Sequence, residues 1–163
     1  MKVSAQILHI AKETEKTITT AESCTGGMIA AALTDLPGSS AIFERGFVTY
    51  SNAAKVDMLG VSQNTLDARG AVSEPIAAEM ARGALQNAHA QIALAVTGIA
   101  GPGGSDHKPE GRVCFGLATH TSTQTETVEF GALGRENVRI AARDHALRMI
   151  LAALIADSET AQK

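Results

Sequence analysis

The stretch Ile92-Ala93-Leu94-Ala95-Val96-Thr97 narrows the possible folds most. It is a near-continuous apolar run, short enough to be a strand and apolar on both faces. A strand of that kind needs cover on both sides, which helices above and below a sheet provide. A glycine-rich loop, residues 98–105, follows it directly. In open α/β sheets ligands bind beyond the carboxyl ends of the strands, so that loop is a candidate site.

The flanking segments supply the helices. Apolar spacing predicts helices over residues 3–14, 24–33, 53–59, 63–69, 74–88 and 134–156. Runs rich in β-branched and apolar residues predict strands over 17–21, 43–50, 92–97, 112–119 and 125–130. The last two strands read as a hairpin, so the sheet is mixed. The expected fold class is α/β, a three-layer α/β/α sandwich with a mixed central sheet. With 163 residues and no linker, residues 1–157 read as one domain and 158–163 as a frayed polar tail.

Composition sets further bounds. Aromatic residues are 3% of the chain and Trp is absent, so Ala, Ile, Leu, Val and Met must build the core. A net charge of −3 and no run of Lys or Arg argue against a nucleic-acid surface. The two cysteines, Cys24 and Cys114, are far apart and lack metal-ligand spacing, which fits a reducing compartment. No apolar run approaches the ~18 residues of a membrane span, and residues 1–4 do not open a secretory signal. The expectation is a cytoplasmic protein without membrane or nucleic-acid partners.

Thr20-Ala21-Glu22-Ser23-Cys24-Thr25-Gly26-Gly27 joins a strand to a helix through a tight turn of small residues. A serine there lies near the free N–H groups of a helix start, where an oxyanion or phosphate is held. Equally, Ser23 could serve as an N-cap and Gly26-Gly27 could allow close packing. Cys24 is either a core residue or a rival nucleophile with a lowered pKa. The five histidines are scattered with no triad or metal spacing. Lys55 offers another base. If Asn52 caps its helix, Lys55 is the third helical residue, and the helix dipole and burial would both lower its pKa. A neutral amine is a serviceable general base. Tyr50, the only tyrosine, could relay a proton in the same cleft. The other reading makes Lys55 a solvated helix residue and Tyr50 a strand-end aromatic.

Two anion-binding candidates remain. The loop over residues 98–105 matches neither the Walker pattern nor GxGxxG, so it reads as a generic ligand loop or a plain connection. Arg135, Arg139 and Arg143 recur at i, i+4, i+8 on one helix face. Like charges at that spacing repel unless an anion, or counter-charges such as Glu136 and Asp144, relieve them.

Taken together, several stretches resemble the CinA C-terminal family, the group that includes the nicotinamide-nucleotide amidases. They are Thr20 to Gly27; Gly38-Ser39-Ser40; Glu44-Arg45-Gly46-Phe47-Val48-Thr49-Tyr50-Ser51-Asn52; Lys55; Gly70-Ala71-Val72-Ser73-Glu74-Pro75; and Thr97 to Gly104. The resemblance covers about residues 5–155. It implies hydrolysis of the carboxamide of nicotinamide mononucleotide to nicotinate mononucleotide and ammonia, without metal or cofactor. It also implies the α/β/α sandwich. Ser23 matches the nucleophile, Lys55 the base, and Tyr50 a neighbouring proton donor. Substrate contacts are expected from Thr25, Gly26, Gly27, Asn52, Thr97, Gly98, Ile99, Ala100, Gly101, Gly103, Gly104, Arg135 and Arg139. Many members carry a larger preceding domain, so this chain resembles the stand-alone form, expected as a homo-oligomer. The alternative within the family is a non-catalytic nucleotide-binding or competence-related interaction module.

Overall fold

The computed structural model describes residues 1–162. Five strands form one sheet: β1 (Ile18–Glu22), β2 (Phe43–Val48), β3 (Ile92–Gly98), β4 (Arg112–Ala118) and β5 (Thr123–Glu129). Their order is β2-β1-β3-β4-β5. β1 runs parallel to both β2 and β3, while β4 is antiparallel to β3 and β5. The sheet is mixed because a hairpin joins β4 to β5, as the short polar connection predicts.

Helices α1 (Val3–Glu13), α2 (Met28–Thr34) and α6 (Arg135–Ala161) cover one face. Helices α3 (Asn52–Leu59), α4 (Gln63–Arg69) and α5 (Glu74–Gln86) cover the other. Strand alternation divides the core between them. Ile92, Leu94 and Val96 of β3, with Val113, Phe115 and Leu117 of β4, face the α6 layer. Ala93, Ala95 and Ala118 face the α5 layer. Small residues there let α5 lie close to the sheet: a Cβ on Gly116 would stand 2.4 Å from the Ala77 carbonyl oxygen.

The path of the chain creates the cleft. From β1 it passes through α2 to β2 on one side; from β3 it moves away to β4 on the other. The carboxyl ends of β1 and β3 therefore lie at a topological switch point. The Ser23 turn and the glycine-rich loop begin there.

Several boundaries differ from the sequence reading. α2 starts at Met28, not near Cys24, because Gly26 (φ 57°) and Gly27 (φ 109°) hold the left-handed region and delay the helix. β2 ends at Val48, so Tyr50 lies beyond it. β5 begins at Thr123, two residues earlier than expected. α6 continues through Ala161 where a frayed tail was expected. Residues 157–161 contain no glycine or proline, and Lys16 Nζ meets Asp157 Oδ2 at 3.0 Å. Lys163 lies outside the described residues.

Candidate active site

Ser23 follows β1 directly, and its N–H continues the ladder by donating to the Val96 carbonyl at 3.0 Å. Alternation sends the side chains of Glu22 and Ser23 to opposite faces of the sheet. Glu22 goes to the α2 side, where Ile29 and Ala30 of that helix donate to it. Ser23 goes to the α3 side. There its Oγ lies 3.0 Å from Lys55 Nζ, and Lys55 Nζ also donates to the Thr49 carbonyl at 3.0 Å.

Lys55 reaches this point from the first turns of α3. Ser51, not Asn52, is the N-cap of that helix: its Oγ accepts from Ala54 N at 3.0 Å. Lys55 is therefore the fourth helical residue instead of the third. Its side chain is only 1% exposed. Among the described residues no carboxylate forms an ion pair with it. Burial without a counter-charge disfavours the ammonium, so the Lys55 pKa falls below the ordinary lysine range. A neutral amine at this position can accept from the Ser23 hydroxyl while still donating to the Thr49 carbonyl.

Cys24 belongs to the core on the α6 side and is 5% exposed. Burial pushes its thiol up to about 12. The lowered pKa that a helix start would confer is thus absent, because α2 begins four residues later. Cys24 is a packing residue, the core role being one of its two expected readings.

Ser23 is not an N-cap either, since Gly27 holds that position in α2. Gly26 N–H donates to the Ser23 carbonyl, and Gly27 N–H to Glu22. The Thr25 hydroxyl is buried and also donates to Glu22, at 2.6 Å. Three groups expected to face substrate are therefore engaged within the protein. Among the described residues, the N–H groups of Cys24 and Thr25 have no protein acceptor.

The glycine-rich loop lies beside this turn. Thr97 is buried and its hydroxyl donates to the Ala71 carbonyl at 2.9 Å. Ile99 and Ala100 are buried, and Ile99 N–H donates to Arg112. Gly103 N–H is held by Glu110 at 2.9 Å. Gly104 lies so close to the Lys108 carbonyl that a Cβ would stand 2.3 Å from it. Beyond it, Ser105 and Lys108 exchange backbone hydrogen bonds around Asp106 (φ 47°) and His107 (φ 63°), a tight hairpin turn. Lys108 Nζ pins this turn to the carbonyls of Arg69 and Val72. Exposed Asn52, with Ala71, Gly98, Ile99 and Asp106, lines a cavity of about 210 Å³. Neither Ser23 nor Lys55 lines this cavity, nor the larger grooves beside Glu74 and at the opposite end of the sheet.

Arg135, Arg139 and Arg143, the three arginines spaced along one face of α6, have separate tasks. Exposed Arg135 donates to the Gly101 carbonyl at 2.8 Å and to the Tyr50 hydroxyl. Tyr50 is 59% exposed and is held by Arg135, with no hydrogen bond to Ser23 or Lys55. Arg139 donates to the carbonyls of Cys24 (3.0 Å) and Thr25 (3.2 Å), bracing the turn from behind. Arg143 pairs with Asp144 at 2.9 Å, one of the counter-charges its spacing suggested. Among the described residues, no group of three or more His, Cys, Asp or Glu is placed to hold a metal. No described helix is long and apolar enough to cross a membrane.

Sequence reasoning did not single out Glu22 as a structural device. A signal existed: the α2 start, Gly26-Gly27-Met28, supplies no side-chain cap, so an acceptor must come from elsewhere.

Comparisons with known proteins place the chain among its relatives. The chain is 50% identical over 151 residues to the nicotinamide-nucleotide amidohydrolase PncC of Escherichia coli K12, covering 92% of each. It is 52% identical over 143 residues to a CinA-like protein of Chlorobium phaeobacteroides, covering 85% of this chain and 34% of that protein. The crystal structure of a competence/damage-inducible protein, CihA, from Agrobacterium tumefaciens superposes with a TM-score of 0.89 at 47% identity, covering 93% of each chain. The profile of the CinA C-terminal domain matches residues 1–154, and the chain belongs to that family.

Proposed function

We propose that this chain is a Ser/Lys amidohydrolase that converts nicotinamide mononucleotide to nicotinate mononucleotide and ammonia in pyridine-nucleotide recycling. The 3.0 Å contact between Ser23 Oγ and a buried Lys55 amine without a counter-charge carries the reading. The similarity to the E. coli amidohydrolase supports the substrate.

In this mechanism neutral Lys55 takes the Ser23 proton as Oγ bonds to the carboxamide carbon. The proton then passes to the amide nitrogen, the C–N bond breaks and ammonia leaves. Water adds to the acyl-enzyme and gives a proton to Lys55, which returns it to Ser23 Oγ as the Ser23–carbonyl bond breaks, releasing the acid and restoring the neutral amine. The N–H groups of Cys24 and Thr25 are the turn donors left for the oxyanion. Arg135, which is exposed and sits between Tyr50 and Gly101, is assigned the 5′-phosphate; Arg139 braces the turn. Tyr50, bonded to Arg135 at the cleft mouth, is assigned to the phosphate side of the site and not to the Ser23–Lys55 pair. Asn52 and the glycine-rich loop line the remaining substrate surface.

The same reading makes residues 1–157 one amidohydrolase unit that works in the cytoplasm as a homo-oligomer, without metal or cofactor and without nucleic-acid partners. The decisive assay is ammonia release from nicotinamide mononucleotide. Turnover by the wild type that is lost in Ser23→Ala is the expected result; no turnover by folded wild type refutes the reading.

A further inference from the structure

Glu22 is the last residue of β1 and is completely buried, yet it forms no ion pair among the described residues. Four donors satisfy its carboxylate instead. Oε1 accepts from Thr25 Oγ1 at 2.6 Å, Ile29 N at 2.9 Å and Gly27 N at 3.3 Å; Oε2 accepts from Ala30 N at 3.0 Å. These N–H groups belong to the start of α2, which has no other side-chain cap. Orphan donors of a helix start ordinarily take a nearby Ser or Asp, or an anionic ligand. Here the protein supplies its own anion from the preceding strand.

The turn bridged in this way is the one that carries Ser23. Its N–H is fixed to β3 through Val96, and the carbonyls of Cys24 and Thr25 are fixed to α6 through Arg139. Glu22 fixes the remaining side, from Thr25 to Ala30. Because strand alternation points Glu22 away from Ser23, the carboxylate does not touch reacting atoms. It acts through the backbone of the turn.

We propose that Glu22 is the positioning residue of the nucleophile: by binding the α2 start and the Thr25 hydroxyl, it holds the turn so that Ser23 Oγ stays on Lys55 Nζ. This inference rests on the amidohydrolase reading above. It also removes the α2 N-terminus from the list of places for a substrate oxyanion or phosphate, since a protein carboxylate already fills it.

The test compares wild type, Glu22→Gln, Thr25→Val and Ser23→Ala. Two rates are measured: ammonia release from nicotinamide mononucleotide, and covalent labelling of Ser23 by a fluorophosphonate, which needs no nucleotide binding. Thermal melts report folding. Glu22→Gln keeps the shape but sets an NH2 against an N–H donor, so kcat and the labelling rate fall together by about tenfold or more. KM stays within about twofold, because substrate contacts are untouched. Thr25→Val removes one bond to the carboxylate and gives a smaller loss, several-fold, with the same split. A folded Glu22→Gln with kcat within about twofold of wild type, or with a loss confined to KM, overturns the proposal. If Glu22→Gln does not fold, Thr25→Val decides by the same criterion. If wild type turns over the nucleotide but resists the label, the split between kcat and KM decides alone. Wild type that labels at Ser23 but releases no ammonia refutes the substrate reading only, and the labelling rates then decide the role of Glu22. Wild type that does neither has no activated nucleophile to position, and both fall.

Discussion

Ser23 Oγ and Lys55 Nζ meet at 3.0 Å across 32 residues of sequence, one side chain at the end of β1 and the other in the first turns of α3. In the proposed mechanism the two act as a unit. Ser23→Ala and Lys55→Met are each expected to lower kcat for ammonia release by at least about 10³-fold. The double variant should be scarcely worse than either single one. Steady-state kinetics on the three purified variants checks both statements.

The buried amine also sets a pH dependence. In the proposed mechanism only neutral Lys55 accepts the serine proton, so kcat/KM should rise with pH through a single ionisation below the ordinary lysine range. Stability follows the same sign. The folded-state pKa is lowered relative to the unfolded chain, so between the two values the unfolded state binds more protons. Wild-type stability should therefore increase with pH across that window, relative to Lys55→Met, which cannot titrate. Urea melts of both proteins over the neutral-to-alkaline range test this.

Cys24 neighbours the proposed nucleophile in sequence but packs into the core. Cys24→Ala should retain kcat within a few-fold and lower stability by about 1 kcal/mol, the cost of a small buried deletion. With a thiol pushed up to about 12, alkylation of native protein at pH 8 should be far slower than after unfolding. Loss of turnover in Cys24→Ala, with Ser23→Ala still active, would reverse the assignment.

Arg135 and Arg139 are one helical turn apart yet should produce different kinetic defects. Arg135→Ala should mainly raise KM, by roughly tenfold or more, as expected for loss of a phosphate contact. Arg139→Ala frees the carbonyls of Cys24 and Thr25 and should mainly lower kcat. Tyr50→Phe combined with Arg135→Ala should be non-additive, because the Tyr50 hydroxyl and Arg135 are hydrogen-bonded.

The close approach of α3 to α5 gives a purely structural prediction. A Cβ on Gly83 would stand 1.9 Å from the Leu59 carbonyl oxygen, a backbone atom that cannot move aside cheaply. Gly83→Ala should cost about 1–3 kcal/mol, although alanine is the better helix former. Chemical denaturation measures it.

Periodicity and composition determined much about this protein without coordinates. The apolar run ending at Thr97 implied a central strand covered on both faces, and β3 is that strand. Local apolar spacing located α4 and α5: Ser62 caps α4 through Thr65 N, and Ser73 occupies the N-cap position of α5 with its hydroxyl turned to the Gly70 carbonyl. The motif around Ser23, read with the family resemblance, brought Ser23 and Lys55 forward as partners. What only the tertiary structure decided depends on backbone φ and on distant contacts. Two left-handed glycines moved the start of α2 past Cys24 and left the thiol in the core. Strand alternation sent Glu22 and Ser23 to opposite faces, one to hold a helix and one to meet a lysine. Strand order, the engagement of Gly103 by Glu110 and the distinct tasks of the three arginines likewise arise from pairings across the fold. Residue spacing in one segment carries no record of which distant group will satisfy it, because hydrogen-bond partners are chosen by packing.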